Sequence, residues 1–573
     1  MAVAIYVVQV LLRLRAEEAD GPLEPVASAG TDRSLRCRTR ARSLPGARLW
    51  VPGPVSPRSW LLTAQERGNP YTGIDRRHAD GAPFSEGNEV RPLIHGDAYF
   101  SELYQAIRHT RRGDLILFTD WRGDPDERLD GPGSEVSQVL CEAAARGVLV
   151  RGLIWRSHLD RLFFSEAENR HLGEKIEAAG GEAVRDMRVR AGGSHHQKLV
   201  VVRHPGAPEH DVAYVGGIDL CHGRRDDPEH RGDPQPVPMS AAYGPRPPWH
   251  DVQLAIRGPA VGDVEAVFRE RWDDPTPVTR NPFYRLADAL RHDDDRPDAL
   301  PPQLPDPPRR GGHTVQLLRT YPYRRWQAYP FAPYGERSVA LGYAKALRHA
   351  RRLVYVEDQY LWSAEVAETF AEALVRQPDL HMIAVVPRYP DQPGRMADAA
   401  EAVGRGRALA ALRHAGGERF AVYAPENPAG TPVYVHAKVC IIDDAWLSVG
   451  SDNFNLRSWT HDSELTAAVV DESGGELPVR LRLDLLREHL DRAPGEDGDL
   501  RDPETAFAAV ARSADELEKW YADDRSGPRP PGRLRRYEPP LVPDWARTAA
   551  SVLYRRFYDP DGRPPALRRR RAF

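Results

Sequence analysis

The chain has 573 residues, too many for one ordinary hydrophobic core, so about two to four domain-sized units are expected. Apolar residues make up 41% and charged residues 28%, the usual composition of a globular protein. The 79 Lys and Arg nearly balance the 83 Asp and Glu, which excludes a global positive charge for binding nucleic acid. Any site for a polyanion must therefore be local.

The amino-terminal segment and the cysteines give indications of the cellular compartment of the protein. The apolar residues 1–12 are too short for a membrane span, and Arg13 and Arg15 follow them, the wrong order for a secretory signal. We therefore expect a cytoplasmic or peripherally membrane-associated protein, with export left open. Four cysteines without close pairs or zinc-type spacing indicate reduced thiols: Cys37, Cys141, Cys221 and Cys440.

Helical patterns alternate with short apolar runs along two stretches of chain, which is typical of α/β units with a mostly parallel sheet. The first stretch predicts helix 98–108, strand 115–119, helix 136–145 and strand 148–155. The second predicts helix 338–348, strand 353–356, helix 365–375 and strand 381–386. Each series leads to a His-x-Lys segment, so the chain contains a duplicated α/β unit.

Composition suggests the domain boundaries. The predicted units are a poorly ordered leader, a first half, a Pro-rich linker, a second half and a helical extension with a basic tail: residues 1–59, 60–292, 293–312, 313–474 and 475–573. The tail, residues 568–571, is expected to be disordered, and contact with anionic lipid is the alternative.

The His-x-Lys segments have the same plan in both halves. Residues 195–202 and 213–219 predict strand, turn and strand, as do residues 435–443 and 447–453. Because side chains alternate along a strand, His196 points the same way as Lys198, and His436 the same way as Lys438. The neighbouring His195 is in the opposite register.

Small residues close the second strand of each hairpin. Gly217 and Ser451, at the matched positions, are expected to let a phosphate approach the backbone. Asp219 and Asn453 follow two residues later; Asn453 can donate to a phosphate oxygen, whereas an ionised Asp219 cannot. The two halves are therefore chemically unequal.

Two histidines, two lysines and an amide suit the cleavage of a phosphodiester. Lys198 and Lys438 would neutralise the non-bridging oxygens in the transition state. One imidazole would attack phosphorus and form a phosphohistidine, while the other protonates the leaving alcohol and then activates water or an alcohol. No metal and no cofactor is needed for this scheme.

These residues resemble the two HKD motifs of the phospholipase D superfamily. Further likenesses, spanning about residues 88 to 562, lie at residues 249–252, 257–261, 356–360, 455–458 and 558–562. The resemblance implies an α/β fold of two fused phospholipase D-like α/β/α sandwich halves, with the active site at their interface. It also implies that His196 is the nucleophile and His436 the general acid and base. Asp251 and Glu464 are the candidates for the acids that hold the histidines, with their pairing left open.

One position departs from the family pattern. An aspartate is expected five residues after each motif lysine; Asp443 satisfies this in the second half, but Arg203 occupies the place in the first. Asp211, across a longer hairpin, is the candidate replacement. This aspartate is usually structural, so activity is expected to be retained, and a half-degenerate site is the alternative.

The expected function is hydrolysis of phospholipid head groups by a monomer that contacts the membrane surface, with water or an alcohol as acceptor. No stable nucleic-acid partner is expected. The alternatives are a nuclease or other non-lipid phosphodiesterase, a cardiolipin-synthase-like transferase, and a non-catalytic phosphate-binding module.

Two further clusters invite simpler interpretations. Residues 224–230 predict a solvated loop rather than a metal cluster. Core packing is expected for four aromatic residues, with a rim that enters a lipid interface as the alternative: Trp326, Tyr329, Phe331 and Trp362.

Overall fold

The fold is known from a computed structural model that describes residues 57–157, 166–279, 285, 297–391, 395–471 and 476–573. The predicted leader lies outside these residues except for residues 57–59. The strands of the first half are β1 (Ser85–Ile94), β2 (Leu115–Asp120), β3 (Leu149–Trp155), β4 (Glu182–Asp186), β5 (Leu199–Arg203), β6 (Val212–Gly216), β7 (Trp249–His250) and β8 (Val252–Arg257). Its helices are α1 (Ala64–Arg67), α2 (Gly96–Arg108), α3 (Val136–Ala145), α4 (Glu166–Ala178) and α5 (Ala260–Trp272).

The second half repeats this order of elements. Its strands are β9 (His313–Tyr321), β10 (Glu336–Arg337), β11 (Leu353–Asp358), β12 (His381–Val385), β13 (Phe420–Pro425), β14 (Tyr434–Val435), β15 (Lys438–Ile442), β16 (Trp446–Gly450) and β17 (Glu464–Asp471). Its helices are α6 (Ser338–His349), α7 (Ala364–Arg376), α8 (Arg395–Gly416) and α9 (Leu456–Thr460). The carboxyl-terminal part adds α10 (Glu476–His489), α11 (Pro503–Ala522), β18 (Leu534–Arg536), α12 (Asp544–Leu553) and α13 (Pro565–Arg570).

One 16-stranded sheet runs through both halves in the order β18-β13-β12-β11-β15-β16-β17-β9-β1-β8-β6-β5-β2-β3-β4, with β10 paired to β9. Read outward from the β1–β9 junction, the two halves present the same sequence of strands. The predicted α/β fold of two fused halves is confirmed. The prediction of a mostly parallel sheet is wrong, because parallel pairing among the described strands of this sheet is limited to β2–β3–β4 and β11–β12–β13. The hairpins that carry the motifs return directly and therefore pair antiparallel.

Burial on both faces explains why the central strands appear as continuous apolar runs. In β11, Leu353 and Tyr355 belong to a core cluster that both halves share. Val354 and Val356 face a second cluster on the opposite side of the sheet. The shared cluster also contains Leu117 of β2, so the two halves fold around common apolar contacts.

The carboxyl-terminal part packs onto this framework. Strand β18 pairs with β13 at the edge of the sheet, at Tyr423↔Arg536 and its neighbours. The prediction of a disordered tail is wrong, because α13 is helical and Arg568 donates to the carbonyl oxygens of Arg563 (2.8 Å) and Asp561 (2.6 Å). Within the described residues no helix has the length and apolarity needed to cross a bilayer.

The unusual Arg203 lies in the core, at the end of β5. Its guanidinium forms ion pairs with Asp211 (Nε–Oδ2 2.7 Å) and Glu265, and it donates to the carbonyl oxygen of Pro305. In the second half, Asp443 instead accepts three backbone N–H groups, those of residues 351–353, at 2.6–2.9 Å. Asp211 therefore pairs with Arg203 and accepts one backbone N–H, that of His204 (2.6 Å), where Asp443 accepts three.

Removing Arg203 should lower the free energy of unfolding, because the buried carboxylates lose this cation. Arg203→Met leaves Asp211 and Glu265 without a shared cation, and we expect a loss of roughly 3–5 kcal/mol in the free energy of unfolding. The control Arg310→Met removes the exposed pair with Glu89 (2.6 Å) and should cost roughly 0–1 kcal/mol. Urea unfolding followed by circular dichroism measures both. Equal losses in the two variants would contradict this account of Arg203.

Candidate active site

The two motif histidines lie immediately before β5 and β15, and each is followed by a buried lysine. The ammonium nitrogen of Lys198 donates to the carbonyl oxygen of His196 (3.0 Å), and Lys438 makes the same contact with His436. Lys198 and Lys438 are 1% and 0% exposed, so their charges act in a medium that screens weakly. In both halves the lysine side chain therefore contacts the backbone of the histidine two residues before it.

Each motif histidine is held by a carboxylate of the opposite half. The Nδ1 of His196 lies 2.8 Å from Oε2 of Glu464, and the Nδ1 of His436 lies 2.7 Å from Oδ2 of Asp251. A carboxylate at Nδ1 keeps the proton on that nitrogen and leaves Nε2 for chemistry. The pairing that the sequence left open is therefore crossed between the halves.

Backbone contacts reinforce the crossing. His196 N donates to the carbonyl oxygen of Ser463 (3.0 Å), and His436 N donates to that of His250 (2.8 Å). Strand β7 of the first half also pairs in parallel with β14 of the second, with His250 opposite Val435. Each histidine thus needs the other half for its position, which brings both motifs to one place.

Gly217 and Ser451 contact these carboxylates. A side chain at Gly217 would collide with the carboxylate of Asp251. The hydroxyl of Ser451 donates to Oε2 of Glu464 (2.5 Å) and accepts the N–H of Leu465 (3.0 Å). Small residues are therefore required here for the close approach of the acids that hold the histidines.

Asn453 and Asp219 occupy matched positions but have different surroundings. Asn453 is buried, and its Oδ1 has no hydrogen-bond partner among the described residues. Asp219 lies 3.3 Å from the ammonium of Lys198. Burial alone would raise the pKa of Asp219, but Lys198 and a hydrogen bond from Asp120 hold it below its usual value. Burial and the charge of Asp219 raise the pKa of Asp120 well above normal, so Asp120 carries the proton of this pair.

The second half holds its lysine differently. Lys438 donates to the side-chain oxygen of Gln359 (3.1 Å). Asp358, at the end of β11, accepts the backbone N–H of Leu361 (2.6 Å) and of Phe454 (3.0 Å), and burial raises its pKa to about 6. Sequence reasoning missed Asp120 and Asp358 as site residues, although both end a buried central strand.

Arg224 is a further cation of the site. Its guanidinium lies 3.9 Å from the ring centre of Trp249, and the Trp249 ring lies 4.8 Å from that of His436. The prediction that residues 224–230 form a solvated loop is therefore wrong at Arg224. It is also wrong at Asp226 and His230, which are 2% and 1% exposed. The alternating charges of this segment are typical of a solvated loop, so the sequence did not indicate that these residues are buried.

The cations act on one another. Burial lowers the pKa of Lys438 to about 8, with a further contribution from Lys198. Burial together with Lys438, Arg224 and Lys198 holds the pKa of His436 well below its usual value. Because Lys198 affects both groups of the second motif, the cations of the two halves lie within electrostatic reach of each other.

A segment of the carboxyl-terminal part, around Asp559, braces the second motif. The carboxylate of Asp559 accepts the backbone N–H groups of Leu456 (2.6 Å) and Arg457 (3.2 Å), at the start of α9. Arg457 in turn donates to Asp462 (2.7 Å) and to the carbonyl oxygen of Gly192 (2.7 Å). This network fixes the loop that leads to Glu464.

Comparisons with known proteins agree with the duplicated plan. The family model described as "Phospholipase D" matches residues 126–292, and the one described as "Cardiolipin synthase, PLD-like domain" matches residues 343–477. Phospholipase D alpha 1 of Arabidopsis thaliana is 24% identical, over 84% of this chain and 76% of that protein. Phospholipase D alpha 1 of Cynara cardunculus is 26% identical, over 84% and 76% respectively. Each half of the chain thus matches one such domain, and the chain belongs to the phospholipase D superfamily of phosphodiesterases.

Proposed function

We propose that the protein hydrolyses the head-group phosphodiester of phospholipids through a covalent phosphohistidine, and that an alcohol can replace water as acceptor. The observation that supports this most is the crossed pairing of His196 with Glu464 and of His436 with Asp251. Two imidazoles with fixed Nδ1–H groups present two Nε2 atoms to one group of cations. That arrangement suits attack and proton transfer at a single phosphate.

In the first step the phosphate lies among Lys198, Lys438 and the amide of Asn453, which offset the charge that builds on the non-bridging oxygens. The neutral Nε2 of His196 attacks phosphorus, and a P–N bond forms. The bond from phosphorus to the head-group oxygen breaks, and His436 gives its Nε2 proton to that oxygen. Glu464 stabilises the positive charge that develops on the His196 ring.

In the second step His436 is neutral and accepts a proton from water. The water oxygen attacks phosphorus, the P–N bond breaks, and His196 is restored as phosphatidic acid leaves. An alcohol in place of water would give the transfer product. Because burial and neighbouring cations lower the pKa of His436, we expect the negative charge of the bound substrate to raise it and so to favour the protonated ring.

A phospholipid is the proposed substrate, met at a membrane surface by a monomer. The similarity to plant proteins called phospholipase D and the net charge of −4 favour it over nucleic acid. Tyr321, whose hydroxyl lies 3.2 Å from Nε2 of Gln197 beside the first motif, leads into a loop that carries Trp326 and Tyr334, exposed by 64% and 65%. An exposed tryptophan and tyrosine suit peripheral contact with lipid.

Trapping the phosphoenzyme separates the roles of the histidines. With a diester of p-nitrophenol, which leaves with little acid assistance, His436→Asn should accumulate an acid-labile phosphoenzyme because step two lacks its base. His196→Asn should form none. Rapid quenching with labelled substrate measures both, and we expect turnover to fall by roughly 10²–10⁴-fold in His436→Asn. Label in His196→Asn but not in His436→Asn would reverse the roles, and unchanged turnover in both variants would indicate a non-catalytic phosphate-binding module.

Binding of anions should depend on pH through Lys438. Its pKa of about 8 means that the ammonium is charged below that pH and loses its proton as the pH rises through it. A phosphonate monoester, in which carbon replaces the scissile oxygen of the phosphodiester, keeps one negative charge throughout, so its affinity, measured by calorimetry, should weaken as the pH rises above about 8. In Lys438→Arg the charge persists and this dependence should disappear. If the arginine variant loses affinity over the same pH range, Lys438 is not the group responsible.

The substrate class can be tested directly. We expect turnover of phosphatidylcholine vesicles, which the double variant His196→Asn/His436→Asn should abolish, and no turnover of single-stranded DNA. Trp326→Ser should lower the rate on vesicles while leaving a soluble short-chain diester unaffected, because only the former needs membrane contact. Cleavage of DNA without cleavage of vesicles would favour a nuclease.

A further inference from the structure

Three buried imidazoles and a carboxylate come together at strand β7, and their side chains take no part in the machinery described above. One ligand atom each of His95, His230, His250 and Glu488 lies within 4.8 Å of the others. The carboxylate of Glu488 is at the centre, 2.7 Å from Nε2 of His95, 3.1 Å from Nε2 of His230 and 3.4 Å from Nδ1 of His250. All three histidines are 1% exposed or less.

Other carboxylates hold the far side of two of these rings. The Nδ1 of His230 lies 3.1 Å from Asp226, and the Nε2 of His250 lies 2.6 Å from Glu357. The inward Nδ1 of His250 faces Glu488 at 3.4 Å but forms no hydrogen bond with any described residue. A carboxylate behind an imidazole whose other nitrogen faces a common point is the usual support of a metal-binding histidine.

The backbone is also constrained at this place. His95 has φ 68° and ψ 158°, and His230 has φ 54°. Residues with a Cβ adopt positive φ at a cost, and such conformations persist where the surroundings over-determine them. Two strained histidines whose rings converge on one carboxylate are therefore a second, independent sign of a site.

We propose that these four side chains bind a divalent transition-metal ion of the zinc class. The ligands would be Nε2 of His95, Nε2 of His230, Nδ1 of His250 and a carboxylate oxygen of Glu488. Three imidazoles and one carboxylate are the donors that zinc takes in four-coordinate sites, whereas calcium and magnesium require mostly oxygen ligands.

The role assigned to the ion is positioning. The carbonyl oxygen of His250 accepts the N–H of His436 (2.8 Å) and of Ala437 (3.1 Å), and Asp251, the next residue, holds the ring of His436. An ion on His250 would fix this strand. Through Glu488 it would also join α10 to the first half, so it should raise the thermal stability of the full chain.

Cobalt substitution tests the site without reference to turnover. The full chain, stripped with a chelator, is titrated with Co²⁺ and then with Zn²⁺. We expect one equivalent of Co²⁺ with the visible absorption of a tetrahedral ion, bleached by Zn²⁺, and a higher thermal midpoint with Zn²⁺ than without. His95→Asn and Glu488→Gln should lose the absorption and the metal-dependent rise in midpoint.

The matched control is His204→Asn, which removes a half-buried imidazole paired with another carboxylate, that of Asp114 (2.7 Å), and should bind Co²⁺ like the unmodified protein. Far-UV circular dichroism checks the fold of every variant, and Glu488→Gln provides the comparison if His95→Asn unfolds. Absence of stoichiometric Co²⁺ in the unmodified chain would overturn the proposal and leave a hydrogen-bonded network. Binding that persists equally in both site variants would overturn it as well.

Discussion

The candidate active site depends on one kind of contact, a carboxylate of one half bound to the imidazole of the other. A histidine oriented by its own half could serve a separate site, but His196 and His436 are each oriented across the junction. The consequence extends beyond the two histidines, because the pairing β7–β14 and the shared apolar core hold the two halves in the arrangement that these contacts require. Duplication of the fold therefore produced one site instead of two.

The two halves have diverged where their chemistry differs. Gly217 and Ser451 both make room for an acid, but only Ser451 also donates to it. Lys198 is balanced by the anion of Asp219, whereas Lys438 faces the neutral Gln359, and burial then lowers its pKa. A substrate phosphate would therefore contact, on the side of the second motif, a lysine whose charge is less fully neutralised by a neighbouring carboxylate.

Sequence patterns predicted the fold class and most central elements because periodicity is a local property. Helix α3 was predicted with its observed bounds, and β11 was found two residues short. The mixed direction of the sheet was missed, since strand direction depends on how hairpins return and not on apolar runs. The tail was misjudged because a run of arginines is typical of a solvated segment, and the contacts of Arg568 with the carbonyl oxygens of Arg563 and Asp561 form only when the preceding loop is folded.

The candidate site was predicted in part for the same reason. His196, Lys198, His436 and Lys438 stand in repeated motifs, which a single chain reveals. Arg224 could not be recognised, because the pattern around it is that of a solvated loop and its stacking on Trp249 depends on the tertiary fold. Asp120 could not be recognised for the same reason, since its role depends on the hydrogen bond to Asp219, which lies about a hundred residues away in the sequence.

The brace from Asp559 to the start of α9 bears on how much of the chain an ordered site requires. Asp559 holds a helix that follows the second motif and begins 103 residues earlier in the sequence, and Arg457 passes that restraint on to Asp462, two residues before Glu464. A fragment cut ahead of Asp559 would keep both motifs and both carboxylates that orient the histidines. It would nevertheless lose the restraint on the loop before Glu464, so the motif residues alone do not define the smallest competent unit.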